Sequence, residues 1–440
     1  MKLSTLKGRK IVHSSSRLAS IVAGFIILSA ALTSIASADA RQQPQAVDAT
    51  TKLVSSAHNA FGIQLFKEIV QQDQDKNIFI SPASAAMALA MVYNGADGVT
   101  RDEMARVLEL EGITLEQINQ ANLALDSLLE CKDTSVELSV ANSVWMTDEF
   151  EFKKDFLDRT EAYYDAEITS MDFKRPGAHK LINDWTAEKT RDKIREIIGP
   201  IDENAIMFLL NAVYFKGIWK YQFREENTRE QDFTLLDGSI KQHPLMSLRG
   251  EFDYTESPNF QAIRLPYGEG RFSMLVFLPA SDFGLERFHD SLTAENWIEW
   301  GRRLWRREGT IILPRFKLEY EKQLNDALKA LCMITAFDKV DADFSKMWEQ
   351  SRKRNYSTGF LMEGDTNVYI HEVRQKTFLE VNEKGSEAAA VTVVEMRGFA
   401  PTSVQMPVRP FVMTVNRPFF CAIVENTSGL ILFMGSIVDP

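Results

Sequence analysis

Long apolar stretches rich in strand-favouring residues limit the possible folds of this chain more than any other feature. They lie at residues 136–146, 205–215, 271–279, 309–320, 367–383 and 430–438. Apolar residues at helical spacing are concentrated in the first 200 residues, at 101–110, 114–131, 153–163 and 178–198. No internal repeat or Pro/Gly-rich linker separates the two parts. The pattern therefore predicts one α+β body rather than a string of separate domains.

Composition and charge exclude several classes of protein. Of the 440 residues, 45% are hydrophobic and 25% are charged, which is ordinary for a globular chain. A formal charge of −11 argues against a nucleic-acid coat or a polybasic membrane binder. Cys131, Cys332 and Cys421 are odd in number and lack zinc-ligand spacing. We therefore expect neither a disulfide scaffold nor a metal site, and no nucleic-acid partner.

Residues 1–40 have the features of a signal peptide. Five basic residues precede an uncharged run from Leu18 to Ala38. The run ends within the segment ASADA at 36–40, whose small residues predict cleavage after Ala38 or Ala40. The alternative is an uncleaved anchor, because 21 uncharged residues can just span a bilayer. Cleavage would leave an acidic chain of formal charge −15, secreted or periplasmic, with no stable membrane association. The polar residues 41–50 are predicted to be a flexible tail.

After residue 40 the chain lacks the motifs of common enzymes. No GxSxG elbow, SxxK, HExxH, P-loop or GxGxxG fingerprint occurs. The remaining histidines are too far apart in sequence for a helical metal pair: His58, His179, His243, His289 and His371. We therefore expect a protein that is not an enzyme and needs no cofactor.

Two basic clusters allow two interpretations. Arg302, Arg303, Arg306 and Arg307 form one cluster, and residues 352–354 form the other. Each is either a solvated surface or a docking site for a polyanion or a partner protein. Asn355 and Asn426 each begin an Asn-x-Ser sequon, which matters only if the host glycosylates exported proteins.

The segment 376–420 bears most directly on function. It begins as a strand and continues into the small residues SEAAAVTVVEM at 386–396. If these residues form a strand, one face is uncharged: Ser386, Ala388, Ala390, Thr392, Val394 and Met396. The charged residues Glu387, Glu395 and Arg397 all lie on the other face. The pattern predicts a strand with one buried face, and the alternatives are a permanent edge strand or an Ala-rich helix.

Seven motifs resemble signatures of the serpin family and follow one another in the family's order. They are NIFISPASAAMALAMVYNGA, LLNAVYFKGIWKYQF, LPYGEGRFSMLVFLP, LPRFKLEY, NEKGSEAAAVT, NRPFF and LFMGSIVDP. On these motifs the chain is identified as a member of the serpin family over residues 51–440. Its end resembles bacterial, especially cyanobacterial, serpins.

The resemblance implies an α+β fold with a large central β-sheet, additional sheets, about nine helices and an exposed reactive loop at about 385–410. It implies a monomeric suicide-substrate inhibitor of serine proteases. The protease attacks the loop and forms a covalent acyl-enzyme, and the cleaved loop then inserts into the central sheet as a new strand. The native state would therefore be metastable. The alternative is a non-inhibitory serpin that acts as a carrier or binding protein.

The resemblance also assigns residues of the reactive loop. The hinge would be Glu383, Lys384, Gly385, Ser386, Glu387, Ala388, Ala389 and Ala390. Family spacing, counted from Glu383, places the scissile bond between Phe399 and Ala400, which suits a chymotrypsin-like protease. Arg397–Gly398 is the second candidate and suits trypsin-like enzymes, and other bonds such as Met396–Arg397 also stay open. Arg409 is disfavoured because Pro410 follows it.

A sheet-opening region beneath the hinge carries over from the family as well. It would contain Asn77, Ser81, Ser84 and Trp219. Two departures stand out, and the segment between the hinge and NRPFF is also longer than in several relatives. Gln375 stands where many relatives have a histidine, which puts a pH-sensitive opening step in doubt. Asp192 replaces a frequent glycine.

Overall fold

A computed structural model of the chain describes residues 47–130, 133–164, 166–202, 204–350, 367–386 and 409–440. These residues form nine α-helices: α1 (Ala49–Gln72), α2 (Pro82–Tyr93), α3 (Gly98–Val107), α4 (Leu115–Leu129), α5 (Lys154–Tyr163), α6 (Ala178–Lys189), α7 (Gly284–Ser291), α8 (Ala294–Arg303) and α9 (Asn325–Ala330). Two short 3₁₀ turns lie at Glu225–Asn227 and Thr335–Phe337.

Side-chain caps set the first boundary of several helices. The Asp48 carboxylate accepts hydrogen bonds from the backbone N–H groups of Thr50 and Thr51 at 2.9 and 3.0 Å, so α1 begins at Ala49. The predicted tail of residues 41–50 is therefore wrong for its last two residues.

The prediction of a single helix over 178–198 is wrong beyond Lys189. Arg191 and Asp192 have φ angles of 51° and 62°, in the left-handed region that a right-handed helix excludes. The Thr190 hydroxyl donates to the Thr186 carbonyl at 2.7 Å and accepts from the Ile194 N–H at 3.1 Å. A non-helical segment, the α6–β5 connection (residues 190–202), follows and leads towards the next strand.

Seventeen strands occur among the described residues: β1 (Ile78–Ile80), β2 (Val136–Thr147), β3 (Phe150–Phe152), β4 (Ala166–Met171), β5 (Met207–Ile218), β6 (Arg229–Thr234), β7 (Ile240–Glu256), β8 (Phe260–Pro266), β9 (Phe272–Pro279), β10 (Trp305–Pro314), β11 (Phe316–Gln323), β12 (Trp348–Gln350), β13 (Glu372–Asn382), β14 (Gly385–Ser386), β15 (Phe411–Thr414), β16 (Phe419–Glu425) and β17 (Ile431–Ile437). Each of the six strand-like stretches of the sequence overlaps at least one of them, which confirms those predictions.

The strands form three sheets. A nine-stranded sheet has the order β1-β17-β16-β9-β8-β7-β10-β15, and β6 pairs with β7. A six-stranded sheet has the order β11-β13-β14-β5-β2-β4, and β13 also pairs directly with β5. The two short strands β12 and β3 pair separately. Helices and several sheets in one body confirm the predicted α+β class.

The six-stranded sheet is covered on both faces, and strand alternation sorts its side chains between them. On its inner face, Val213 and Phe215 of β5 belong to a hydrophobic cluster that includes Phe433 of β17. On its outer face, Leu210 and neighbouring β5 residues cluster with Ile182 of α6. A strand that enters this sheet must therefore present side chains acceptable to two different surroundings.

Candidate functional site

A seam between β5 and β13 divides the six-stranded sheet. Along it, β13 runs parallel to β5 from the pair Glu372–Phe208 to the pair Phe378–Tyr214. We call these seven paired positions the closed seam. Above it, β14 lies between the two strands and pairs antiparallel with both, and we call this part the open end. The sheet therefore already has an extra strand at one end of the seam and none along the rest.

The two residues of β14 suit the narrow space at the open end. Gly385 has a φ angle of 152°, and a Cβ atom there would collide with the carbonyl oxygen of Gly217 on β5. Only glycine combines this backbone angle with such close approach. Ser386 is fully buried, and its Oγ atom lies 2.8 Å from the hydroxyl oxygen of Tyr267. Burial raises the pKa of Tyr267 far above its usual value, so this hydroxyl stays protonated and available for hydrogen bonding.

Glu383 anchors the turn that joins β13 to β14. Its carboxylate accepts hydrogen bonds from Nε of Arg315 at 2.8 and 2.9 Å, and also from the Thr228 hydroxyl. Its backbone carbonyl accepts the N–H of Phe223 at 2.9 Å. Burial opposes ionisation of Glu383, but hydrogen bonds from Arg315 and Thr228 outweigh it and lower its pKa below the usual value. The start of the hinge is therefore tied to the nine-stranded side of the molecule.

Trp219 supports the open end from below. Its ring stacks on Tyr267 with centroids 4.4 Å apart, and its indole N–H donates to the Asn382 carbonyl at 2.9 Å. Its backbone N–H donates to the Lys384 carbonyl at 2.9 Å. Trp219 thus contacts the turn between β13 and β14 directly.

A buried polar cluster lies on the inner face of the closed seam. Its members are Ser81 and Ser84 of α2 and its cap, Asn142 of β2, Asn211 of β5 and Gln375 of β13. The Gln375 amide donates to Oδ1 of Asn211 at 2.6 Å and to the Ser81 carbonyl at 2.9 Å. The Asn211 amide in turn donates to Ser84 Oγ. Hydrogen bonds thus join β5, β13 and α2 across the seam.

Asn77 lies apart from the polar cluster. Its side chain accepts the N–H groups of Val438 and Asp439 at 2.8 and 3.0 Å and donates to the Asp439 carbonyl at 2.5 Å. The structure therefore brings Ser81 and Ser84 to the seam but places Asn77 against the end of the chain.

Much of the predicted reactive loop lies outside the described residues. This applies to the hinge residues Glu387, Ala388, Ala389 and Ala390 and to the candidate scissile bonds Phe399–Ala400 and Arg397–Gly398. Glu383, Lys384, Gly385 and Ser386 are described and lie in or beside β14.

Several residues of the site were not predicted from the sequence. Arg315, Thr228 and Tyr267 contact the hinge, and Asn142 and Asn211 complete the polar cluster. Asn211 interrupts the otherwise apolar run of β5, which is the one signal in the sequence that points to it. The others are ordinary polar residues whose role depends on the packing of distant strands.

The basic cluster at the end of α8 is largely neutralised by neighbouring carboxylates. Arg303 pairs with Glu299, while Arg306 lies 3.6 Å from Glu251. Arg307 pairs with Glu256 at 3.0 Å. These ion pairs favour the solvated-surface interpretation over a polyanion site. Residues 352–354, the other cluster, lie outside the described part of the chain.

Other surface features of the described residues point to no separate site. No group of three or more His, Cys, Asp or Glu side chains there could hold a metal ion. No helix within those ranges is both long and apolar enough to cross a bilayer. At the second sequon, the amide nitrogen of Asn426 donates to the Gly270 carbonyl and to Ser273 Oγ, both at 2.8 Å.

Comparison with known proteins identifies the family. A model of the family described as Serpin (serine protease inhibitor) matches residues 56–440. The chain belongs to the serpin family. Its serpin relatives include human leukocyte elastase inhibitor, 32% identical, with 88% of this chain and 99% of the relative covered. Human neuroserpin is 31% identical, with 86% and 90% covered.

Solved serpin structures share the fold over nearly the whole chain. The native thermophilic serpin tengpin has a TM-score of 0.79 at 30% identity, covering 90% of this chain and 96% of that one. Human thyroxine-binding globulin has a TM-score of 0.77 at 25% identity, covering 89% and 100%. The family thus consists mainly of protease inhibitors, which are not enzymes, and it also includes a thyroxine-binding member.

Proposed function

We propose that this chain is an exported suicide-substrate inhibitor of serine proteases. The observation that carries the proposal is the position of β14, which lies between β5 and β13 at the open end of the seam. The chain that follows Ser386 consists of small residues with one uncharged face. A strand continued from Ser386 would therefore enter the closed seam.

The register of β14 supports this path. Extended in the same register, it would place Ala389 between Tyr214 and Phe378, and Thr392 between Asn211 and Gln375. Strand alternation would turn Thr392 inward, as it turns Ser386, so its hydroxyl would reach the polar cluster. Glu387 and Glu395 would face outward. The uncharged face of the loop thus matches the inner face of the sheet.

The pairing of the strands indicates what would drive insertion. In the closed seam β5 and β13 pair in parallel, whereas β14 pairs antiparallel with both. Insertion would replace each parallel pair by two antiparallel pairs, which are slightly more stable per residue. It would also add hydrogen bonds, each with a net contribution of about 1 kcal/mol.

The proposed reaction begins with an ordinary proteolytic attack. The protease's serine hydroxyl adds to the loop carbonyl, the peptide bond breaks, and the new amino terminus leaves as the acyl ester forms. Insertion of a strand of about fifteen residues would then carry the ester-linked protease about 50 Å. Displacement on this scale would distort the protease before water can hydrolyse the ester.

We place the scissile bond between Phe399 and Ala400, with Arg397–Gly398 as the second candidate. The support is the number of residues that separates the hinge from the scissile bond in the family, counted from Glu383. Glu383 itself is held in the turn by Arg315 and Thr228. Phe399 would fit a deep apolar pocket of a chymotrypsin-like protease. Cleavage at Arg397 would shorten the inserted strand by two residues, about 7 Å.

Export rests on the first 40 residues of the sequence. The basic start, the uncharged run and the small residues before Ala38 and Ala40 support removal of a signal peptide. Amino-terminal sequencing of the protein recovered from its native host should begin at Asp39 or Arg41. Recovery of intact residues 1–40 in the membrane fraction would favour the anchored alternative.

Incubation of the mature chain with chymotrypsin, elastase and trypsin tests the proposed function. We expect a complex that survives denaturing electrophoresis, and a released fragment that begins at Ala400 and ends at Pro440. A protease whose active-site serine is replaced by alanine is the control and should give no such band. Complete cleavage of the loop without a covalent band would contradict the proposal.

A carrier function is the second candidate, supported by the likeness to thyroxine-binding globulin. The melting temperature of the chain after cleavage of its loop distinguishes an inhibitor, whose loop inserts, from a carrier whose loop does not. An insertion-competent chain should melt at a much higher temperature after the loop is cut, whereas a chain that cannot insert should not.

A further inference from the structure

The outer face of the closed seam carries two aromatic rings that face each other across β5 and β13. Tyr214 and Phe378 are register partners, and their ring centroids lie 6.1 Å apart. Both side chains are buried, although they lie on the face opposite the polar cluster. These rings mark the last closed pair before β14.

One ammonium group lies over both rings. Nζ of Lys193 is 5.8 Å from the centroid of Tyr214 and 5.7 Å from that of Phe378. Both distances are within the range of cation–π attraction. A second lysine, Lys317 of β11, lies 5.2 Å from Phe378 alone. Lys193 therefore joins the two strands of the closed seam, whereas Lys317 links β11 to β13, pairs with Glu319 at 3.4 Å, and does not cross the seam.

The α6–β5 connection holds Lys193 in place. The left-handed residues Arg191 and Asp192 form its turn, and Arg191 pairs with Glu137 of β2 at 2.6 Å. On the other side of the seam, Lys376 of β13 donates to the Glu196 carbonyl at 2.8 Å. The connection is thus attached to both halves of the sheet.

We propose that the α6–β5 connection is a brace across the closed seam and that Lys193 sets the rate at which the loop inserts. The proposal rests on the proposed function. An inserted strand would move the two rings apart by about 4.8 Å. If the Lys193 ammonium keeps its height above the sheet, it would then lie about 7 Å from the centroid of each ring, which is beyond effective cation–π range. Because this contact breaks as the seam opens, it stabilises the closed state against the transition state for insertion.

Lys193→Met tests the brace, and Lys317→Met is its matched control. Each change removes one ammonium over Phe378, but only the first removes a link across the closed seam, because the Lys317 contact joins β13 to β11. A synthetic peptide with the sequence of residues 386–399 serves as the inserting strand, and its annealing is followed by native electrophoresis. We expect Lys193→Met to anneal the peptide about fivefold faster than the wild type. Lys317→Met should anneal it at the wild-type rate.

Lys193→Arg provides rescue, because a guanidinium also binds aromatic faces, and it should restore the wild-type rate. Equal rates for Lys193→Met and wild type, or equal acceleration by Lys317→Met, would overturn the brace. The proposed function is assessed separately on the wild type with chymotrypsin. If the wild type traps protease and Lys193→Met anneals no faster, the brace alone fails. If the wild type neither traps protease nor anneals peptide, the proposed function fails, and the brace with it.

Discussion

The two ends of the seam between β5 and β13 differ in what holds them. At the open end the strands are already separated by Gly385 and Ser386, and each pairs with β14 instead of with the other. Along the closed seam they pair directly and are linked again on both faces. Gln375 joins them on the inner face, and Lys193 joins them on the outer face.

This difference assigns the start of loop insertion to the open end and the barrier to further insertion to the closed seam. The open end requires no strand to part, because the space is already filled by the hinge. The closed seam must lose its parallel pairs, its amide hydrogen bonds and its cation–π contacts before it gains a new strand. We therefore expect substitutions at the open end to decide whether insertion occurs, and substitutions along the closed seam to decide how fast.

Ser386→Glu should have the largest effect. Ser386 is fully buried, so a carboxylate there would lack water and a cationic partner. Burial of such a charge costs more than about 3 kcal/mol. We expect the hinge to leave the sheet and covalent complex formation to fall by more than about 100-fold, while the loop is still cleaved. Denaturing electrophoresis after incubation with chymotrypsin measures both products.

Ser386→Ala is the matched control at the same position. It stays small and loses only the contact with the Tyr267 hydroxyl, worth about 1 kcal/mol, so trapping should remain close to wild type. A Ser386→Glu variant that traps protease as well as Ser386→Ala would show that the open end does not decide insertion.

Glu383→Gln should have an intermediate effect, on stability. The change removes the charge that Arg315 and Thr228 bind, and we expect the native free energy of unfolding to fall by about 2 kcal/mol. Because the pKa of Glu383 is lowered in the folded state, its contribution is complete above its ordinary value of 4.5. The contribution is lost as the pH falls through the lower folded pKa. Urea unfolding from about pH 7 to about pH 3 should therefore show the two proteins converging in acid.

Glu380→Gln is the control for Glu383→Gln. Glu380 lies three residues earlier, on β13, and pairs with no cation in the described part of the chain, so its removal should leave unfolding nearly unchanged. A difference between wild type and Glu383→Gln that persists unchanged below about pH 3 would contradict the ion-pair explanation.

Gln375→His should have the smallest effect, and only in acid. The polar cluster contains serine, asparagine and glutamine side chains, none of which titrates. A buried histidine there would have a folded pKa below its unfolded value of about 6.5, so stability of the closed seam would fall as the pH drops below that value. We expect this variant to anneal the peptide several-fold faster at about pH 5 than at about pH 8. The annealing rate of the wild type should not change with pH through this cluster.

Gln375→Leu separates the charge from the lost amide. It removes the same hydrogen bonds without a titratable group, so its annealing rate should be shifted equally at both pH values. An equal pH slope in Gln375→Leu and Gln375→His would place the titrating group elsewhere in the molecule.

The six strand-like stretches of the sequence accounted for seven of the seventeen described strands, and the pattern as a whole accounted for the fold class. The apolar runs of β5, β9 and β17 predicted buried strands because alternation and side-chain type act within a few neighbouring residues. The helix predicted over 178–198 failed where a local backbone feature outweighed periodicity. Arg191 is common in helices, whereas aspartate tolerates the left-handed region that Asp192 adopts, and periodicity alone did not locate this turn.

The candidate site was predictable in part. Gly385 and Ser386 were assigned to the hinge, and the structure places them in β14, but the cleavage site and residues 387–390 remain predictions. Asn77 belongs to a motif that matches the family, yet its side chain binds the backbone of the C-terminal residues Val438 and Asp439. A sequence motif does not fix where each of its side chains points. Arg315 could not be found from the sequence, since nothing near it indicates a partner 68 residues away.

The sequence by itself determined the alternation of strand residues, the uncharged face of segment 386–396 and the resemblance to serpins, since these are properties of neighbouring residues. Only the tertiary structure decided that β13 lies beside β5 with β14 between them at one end. It also placed Gln375 against Asn211, 164 residues away, and Lys193 over two strands. The physical reason is that strand order and register depend on how all the buried faces pack together, which no short stretch of sequence specifies.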